Sequence, residues 1–451
     1  MISDTNVAVS VAVLCLVVIA LLILLRMMWP RCVRRPAKNL HIGFVHPDLG
    51  IGGAERLVVD AAVALKQAGH DVEIITARHE NNHCFEETRD GTLQVVVFGS
   101  FLPRRILGRL YAACAYLRMC WASARIVMNS LMPGAMPFDV IIVDQVSICI
   151  PILLLARPAG IIFYCHYPDY LLTSRNSLAK RLYRAPLDFL EEKTTGLADV
   201  ILVNSQFTAG VFAEAFPSLT RKKVVPDVLY PPLNLEEQDQ IMSQAMGMPI
   251  ECLKEDELLL LSVNRFERKK NVGLAVRTMA ALPVALQKKS RLVLAGGYDE
   301  KLPENVEHVA ELQALAKELG VAERVTQMRS VSSCMKAALL GRASCLLYTP
   351  DREHFGIVPV EAMYASVPVV AVNSGGPLES LVEGETGFLR PPEESAWAKA
   401  VANILADEGQ KRRMGAAGRE RVKDRFSLQA FGATLDIAVR RLAEGHAKKT
   451  E

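Results

Sequence analysis

Residues 348–372 read YTPDREHFGIVPVEAMYASVPVVAV, and the fold follows from this stretch. Residues 345–348 form a short apolar run stopped by Thr349-Pro350, the pattern of a buried strand. Pro359 suits the first position of a helix, where its missing N–H costs nothing, and Glu361-Ala362-Met363 continues the turn. Residues 367–372 are the next buried strand. Two carboxylates, Glu353 and Glu361, stand eight apart across this cassette. The first is in the loop above a strand and the second in the first helical turn. In a doubly wound α/β sheet that is the crevice at the carboxyl ends of the strands, where ligands bind.

Downstream, Ser374-Gly375-Gly376-Pro377 opens another helix, and residues 383–388, EGETGF, turn into a further strand. Ordering glycine-rich loops costs conformational entropy, so two of them at one sheet edge imply that something docks there. Upstream, residues 258–263 are a strand running into NRFERKKN, residues 264–271. Arg265, Arg268, Lys269 and Lys270 place four cations within six residues at a strand end. That density suits a diphosphate, which arginine grips with a planar fork and lysine with a point charge. Strands at 291–295 and 324–328 complete a second domain over 258–427. Residues 397–423 read as helical, and 428–442 as a last amphipathic helix preceding the tail to 451. Residues 234–257 have no strong period and read as a linker.

The first domain, 40–233, repeats the alternation of strand and helix. A strand at 41–45 leads into PDLGIGGAER, residues 47–56, whose glycines let backbone N–H groups approach a phosphate at a helix N-terminus. The spacing is not that of a dinucleotide fingerprint. Strands at 71–76, 140–143, 161–164 and 200–203 follow. The third is succeeded by Asp144-Gln145 and the fourth by His166-Tyr167-Pro168-Asp169, while Asn204-Ser205 follows the last as a helix cap. Residues 101–132 interleave Arg104, Arg105, Arg109, Arg118 and Arg125 with apolar side chains. They read as basic amphipathic helices, facing either the core or a membrane surface.

Ahead of both domains, residues 7–25 hold no charge, enough for the roughly 30 Å of a bilayer core. Arg26, Arg31, Arg34, Arg35 and Lys38 follow, against Asp4 before, which orients the bulk of the chain toward the cytosol. The expectation is one membrane anchor over residues 1–39. Net charge is only +3, which argues against nucleic acid as a partner. Ten scattered cysteines show no C-x-x-C pair or metal-like spacing, and no Asn-x-Ser/Thr sequon occurs.

The combination HPDLGIGGAERLVVDAA, FYCHYPDYLLT, LYRAPLDFLEE, VNSQFTA, NRFERKKN, AGGYDE and EHFGIVPVEAM resembles the family-4 retaining glycosyltransferases, over about residues 40–440. Within them it is similar to the mannosyltransferases of dolichol-linked oligosaccharide assembly. The resemblance implies a GT-B fold of two facing Rossmann-like domains, with GDP-mannose held by the second and no metal. It implies that Arg265 and Lys270 bind the diphosphate, Glu353 the mannose and Glu361 the ribose. Phe355, Gly356 and Ile357 between the carboxylates join the substrate-binding set. Gly52 and Gly53 would contact the phosphates, and His166, with Tyr167 and Asp169, the hexose and acceptor. Asn271 departs from the glycine that many family members carry after the lysine. The implied activity is addition of an α-1,3- and then an α-1,6-linked mannose to Man-GlcNAc2-diphosphate-dolichol at the cytosolic face of the endoplasmic reticulum, with other early-pathway mannosyltransferases as partners. A related enzyme with another acceptor and a non-catalytic scaffold stay as alternatives.

Overall fold

The computed structural model of the chain describes residues 39–106, 110–173 and 177–450. The apolar run at 7–25 and its basic flank lie outside them. Among the described residues, no helix is long and apolar enough to cross a membrane. The chain divides into two compact units, one comprising residues up to Tyr230 and from Phe431 onward, the other Pro231–Ala430.

In the first unit, β1 (His41–His46), β2 (Asp71–Thr76), β3 (Gln94–Val97), β4 (Val140–Asp144), β5 (Gly160–Cys165), β6 (Val200–Val203) and β7 (Asp227–Val228) form one sheet among the described residues. Its order is β3-β2-β1-β4-β5-β6-β7, and every pair is parallel. Four helices serve the argument: α1 (Gly53–Gln67), α2 (Tyr111–Ser130), α3 (Asp169–Leu172) and α4 (Leu178–Thr195). The strands are apolar almost without alternation because helices cover both faces of a parallel sheet. Val45, Ile141, Ile161 and Phe163 pack against Met119 and Ile126 of α2 in one core.

The second unit opens with α5 (Leu235–Ala245), inside the stretch read from sequence as a linker. Ala245, with Ile241 and Met242, packs on Ala337 and Ala338, which anchors this polar helix by a narrow apolar seam. Then come β8 (Leu258–Val263), β9 (Ser290–Gly296), β10 (Val325–Arg329), α6 (Ser333–Arg342), β11 (Ala343–Tyr348), α7 (Ile357–Tyr364), β12 (Val369–Val372) and β13 (Gly387–Arg390). The sheet order β10-β9-β8-β11-β12-β13 is again wholly parallel. Both units therefore have the doubly wound order, with strand order reversing at β1/β4 and at β8/β11.

Four sequence expectations shift. The helix after Gly356 begins at Ile357, so Pro359 is its third residue, still among the first four whose N–H groups lack intrahelical partners. Glu361 accordingly lies just past the first turn. The 397–423 stretch is two helices, Glu394–Ala406 and Glu408–Arg425. Among the described residues of 101–132, only α2 is helical. Arg118 is buried, and the Arg125 guanidinium lies 5.3 Å from the Phe98 ring centre. Those two cations therefore do not form an outward basic stripe, and Arg109 lies outside the described residues.

The last helix, α8 (Leu428–Thr450), packs from Phe431 onward with the first unit. Phe431, Leu435 and Val439 repeat every fourth residue and are all buried, which makes one apolar face. His70 Nδ1 accepts from the Leu40 N–H at 3.1 Å, leaving Nε2 to meet the Asp436 carboxylate at 2.7 Å.

Candidate active site

In the second unit the reversal point lies between β8 and β11, and the chain brings its charged loops there. After β8 the cation-rich segment makes a single turn, Arg268–Lys270, closed by Asn271 in left-handed conformation with φ 48°. Asparagine tolerates that region better than most other side chains, so the turn closes at little backbone cost. Thr349, the residue after β11, donates its hydroxyl to the Lys270 carbonyl at 2.7 Å and fixes the turn against the strand. Lys270 Nζ then meets Glu353 Oε2 at 2.5 Å. The pair is mostly shielded, with side-chain exposures of 14% and 23%.

The other three cations go elsewhere. Arg268 binds Glu307 and Glu311 at 2.7 and 2.6 Å, Lys269 pairs with Glu267 at 3.1 Å, and Arg265 reaches the same carboxylate at 2.9 Å. Arg265 is largely exposed. The structure thus unites Lys270 with Glu353 and leaves Arg265 apart from that pair.

The loop of Glu353 is held from behind. The Gly376 N–H donates to the Glu353 carbonyl at 2.8 Å, and a Cβ on Gly376 would overlap the Phe355 carbonyl. Close backbone approach is therefore what demands glycine in the second glycine-rich loop. Phe355 is buried against Phe426, with ring centres 5.7 Å apart. Gly356 precedes α7 with φ 82°, and a side chain there would strike the Tyr348 hydroxyl. Tyr348 lies buried at the end of β11; burial first, then the charges of Glu353 and Glu361, push its phenol well up and keep it a neutral donor. Glu361 is 8% exposed. Lys336 of α6 reaches its Oε1 at 2.7 Å, while its Oε2 is buried without a hydrogen-bond partner. The carboxylate thus has one oxygen paired and one buried oxygen that keeps its capacity to accept a hydrogen bond.

The first unit gathers a different cluster at its own reversal point. His46 ends β1, Asp144 ends β4 and His166 follows β5. Asp144 accepts from both imidazoles, Oδ2 to His46 Nδ1 at 2.8 Å and Oδ1 to His166 Nε2 at 2.8 Å. Glu55, in the first turn of α1, lies 3.9 Å from His46 Nε2, too far for a hydrogen bond but close enough to act by charge. Gly52 caps α1 in extended conformation, and a side chain there would overlap the Glu55 carboxylate; Gly53 faces open space. Beyond His166, the Asp169 carboxylate takes an N–H from buried Arg184 at 2.9 Å. The Asp169 and Tyr170 backbone N–H groups, at the start of α3, donate to Glu191 of α4 at 2.7 and 2.9 Å. Tyr167 is half-buried beside them. Among the described residues, no group of three His, Cys, Asp or Glu side chains is arranged to hold a metal ion.

Two family profiles match the chain: Glycosyltransferase Family 4 over residues 51–236 and Glycosyl transferases group 1 over 248–421. The alpha-1,3/1,6-mannosyltransferase ALG2 of Rhizomucor pusillus is 47% identical over 423 residues, covering 89% of this chain and 91% of its own. The human protein of that name is 48% identical over 399 residues, covering 87% and 94%. The chain belongs to this mannosyltransferase family. It is a glycosyltransferase of GT-B fold, with two Rossmann-like domains. The solved structure of sucrose-phosphate synthase from Thermosynechococcus elongatus aligns with a TM-score of 0.67 at 22% identity, covering 90% of this chain and all of that one, which bears on fold alone.

Several residues that shape these sites escaped the sequence reading. Lys336 sits in a plain amphipathic helix, His46 is the last residue of a strand, and Thr349 reads from sequence only as a strand stop. Tyr348 and Glu191 belong to apolar or mixed runs. Their one signal is topological: His46 and Thr349 each fall at the carboxyl end of a strand that borders a reversal point.

Proposed function

We propose that this member of the family transfers mannose from GDP-mannose, with retention of configuration, to the lipid-linked acceptor Man-GlcNAc2-diphosphate-dolichol. An α-1,3-linked residue is added first and an α-1,6-linked residue second, at the cytosolic face of the endoplasmic reticulum membrane. The relatives carry the two linkages in their name. The observation that favours a glycosyl-donor site is the shielded Lys270–Glu353 pair at the β8/β11 reversal, with the open Oε2 of Glu361 nearby.

In this reading Lys270, with Arg265, neutralises the diphosphate as the bond from the mannose anomeric carbon to the phosphate oxygen breaks. Glu353 orients the mannose hydroxyls, and Glu361 accepts from the ribose. Gly52 and Gly53 present backbone N–H groups to phosphate oxygens. Backbone of Phe355, Gly356 and Ile357 lines the sugar. The acceptor hydroxyl, held near His166, Tyr167 and Asp169, attacks from the face the diphosphate leaves, and its proton passes to the departing phosphate oxygen. The protein contributes mainly fixed charge around the leaving group, so no metal is required. Residues 7–25 hold the enzyme to the membrane that carries the acceptor.

The test uses purified full-length protein, GDP-mannose and a synthetic Man-GlcNAc2-diphosphate lipid, with products resolved by mass spectrometry and linkage-specific mannosidases. A product two hexoses heavier, absent with Glu353→Ala, is expected. One added hexose would remove the second linkage. None, with the lipid elongated by a control enzyme, would assign another acceptor. Lys270→Ala is expected to lower turnover by about 10²-fold or more, as loss of a leaving-group partner does; near-normal turnover would remove the diphosphate role.

A further inference from the structure

We infer that Asp144 and His46 are positioning residues that hold His166 as the Nε2–H tautomer, its Nδ1 lone pair free to accept a hydrogen bond from the substrate. The inference rests on the reading above that His166 meets the sugar, and assigns the device that prepares it.

The three residues come from three neighbouring strands, so the sheet itself sets their geometry. Asp144 is 1% exposed and offers one oxygen to each imidazole, both at 2.8 Å. An ionised carboxylate only accepts, so each ring must present an N–H to it. For His166 that hydrogen is on Nε2, which leaves Nδ1 as the acceptor atom of the neutral ring. The ring is held in place by Tyr164, at 4.8 Å between centres, and by Asn204, whose Nδ2 donates to the His166 carbonyl at 3.1 Å. No described residue takes a hydrogen bond from or to Nδ1, and the side chain stays 21% exposed.

His46 supplies the charge balance. Burial alone would lower its imidazole, but Asp144 and the nearby charge of Glu55 outweigh that and push it up to about 9. Burial likewise acts to raise Asp144, yet the two imidazoles hold it below the ordinary carboxylate range. The buried core at this point is therefore an imidazolium between two carboxylates, Asp144 at 2.8 Å and Glu55 at 3.9 Å. His46 occupies Oδ2 of Asp144, which leaves Oδ1 to fix the His166 ring. The other titratable groups facing the pair are Glu55, Tyr164 and Cys165, the last with its thiol pushed well up by burial. The Tyr164 phenol is driven well up by burial and donates to the Leu229 carbonyl at 2.9 Å.

The experiment measures kcat against pH for the full-length enzyme and for variants whose thermal melts stay cooperative. Asn at position 144 offers an amide N–H where the carboxylate offered an oxygen, forcing one ring into the other tautomer. Asp144→Asn is expected to lower kcat by about 10²-fold or more, as a misplaced tautomer does in other histidine relays. If Asp144 acts through His166, Asp144→Asn combined with His166→Gln falls within about twofold of His166→Gln alone. His46→Gln combined with His166→Gln likewise falls within about twofold of His166→Gln alone. Multiplicative losses in either double variant overturn the relay. Normal turnover in His166→Gln instead overturns the contact with the sugar. Should the variants fail to fold, nitrogen-15 spectra of the unaltered enzyme decide: an unprotonated Nδ1 on His166 at neutral pH is expected, and a protonated one sinks the assignment.

Discussion

Lys336 illustrates how a single side chain sets what its neighbour can do. Its ammonium takes Glu361 Oε1 at 2.7 Å and leaves Oε2 buried and open. Replacing it with methionine keeps the apolar stem but leaves the carboxylate without its counter-charge. In the proposed reading the ribose is bound equally in ground and transition states, so the loss falls on affinity. Lys336→Met is expected to raise KM for GDP-mannose about tenfold, near 1.4 kcal/mol, with kcat within about twofold. Initial rates over a donor series check this, and a kcat loss at constant KM would place the pair in the chemistry instead. The sequence exposed Glu361 because it stands eight residues from Glu353 in the apolar run IVPVEAMY. It could not expose Lys336, twenty-five residues upstream on a separate helix, because nothing local distinguishes a lysine that turns inward from one that is solvated. NRFERKKN shows the same limit from the other side. Four cations were legible, but only the turn closed by Asn271 decides that Lys270 faces Glu353 while Arg268 faces Glu307 and Glu311.

At the scale of elements, the link between α3 and α4 stores a pH dependence. Glu191 of α4 accepts the two backbone N–H groups that open α3, and buried Arg184 holds Asp169 on the same short helix. Burial, and then the charge of Asp169, push the Glu191 carboxyl up to about 7 despite those two hydrogen bonds. Its folded value is above the unfolded one, so between roughly pH 4.5 and 7 the native state binds the extra proton. Stability from this group is therefore greatest below that window and falls as pH rises through it. The loss is on the order of 3 kcal/mol above neutrality. Glu191→Gln is expected to flatten that slope: the Tm of the unaltered enzyme falls relative to the variant between about pH 5 and 8. Parallel melting curves would show that Glu191 titrates normally. The inner strands were legible to within a residue or two because parallel strands buried on both faces are nearly continuous apolar runs, whereas the short, partly exposed edge strands β3 and β7 were not. Helix starts were less so. Pro359 is tolerated anywhere in the first turn, which let the sequence place the start of α7 two residues late. The polar helix α5 was invisible because only Ile241, Met242 and Ala245 of its residues belong to an apolar seam.

At the scale of the whole molecule, the two sheets share one strand order, yet each brings different chemistry to its reversal point. One carries a buried His–Asp–His cluster, the other a Lys–Glu pair. That duplication was readable from the alternation of strand and helix. The return of the last helix to the first unit was not, since Phe431, Leu435 and Val439 specify an apolar face without naming what covers it. In the proposed reading the partner at this scale is a membrane, because the acceptor is a lipid. Among the described residues, no helix can span a bilayer. In the proposed reading, attachment falls to residues 7–25, where nineteen uncharged residues precede five cations before position 39. At about 1.5 Å per residue such a run matches the hydrocarbon thickness, and its loss leaves no comparable segment in the described chain. Deleting residues 1–30 is expected to shift the enzyme from the membrane pellet to the supernatant in a carbonate wash. The same deletion should leave turnover of a detergent-solubilised short-chain acceptor within about threefold, because Lys270 and Glu353 belong to a unit that begins at Pro231. Retention in the pellet would mean that another surface of the protein also binds the bilayer, with the exposed Phe101, Leu172, Leu182 and Phe189 of the first unit as the residues to mutate next.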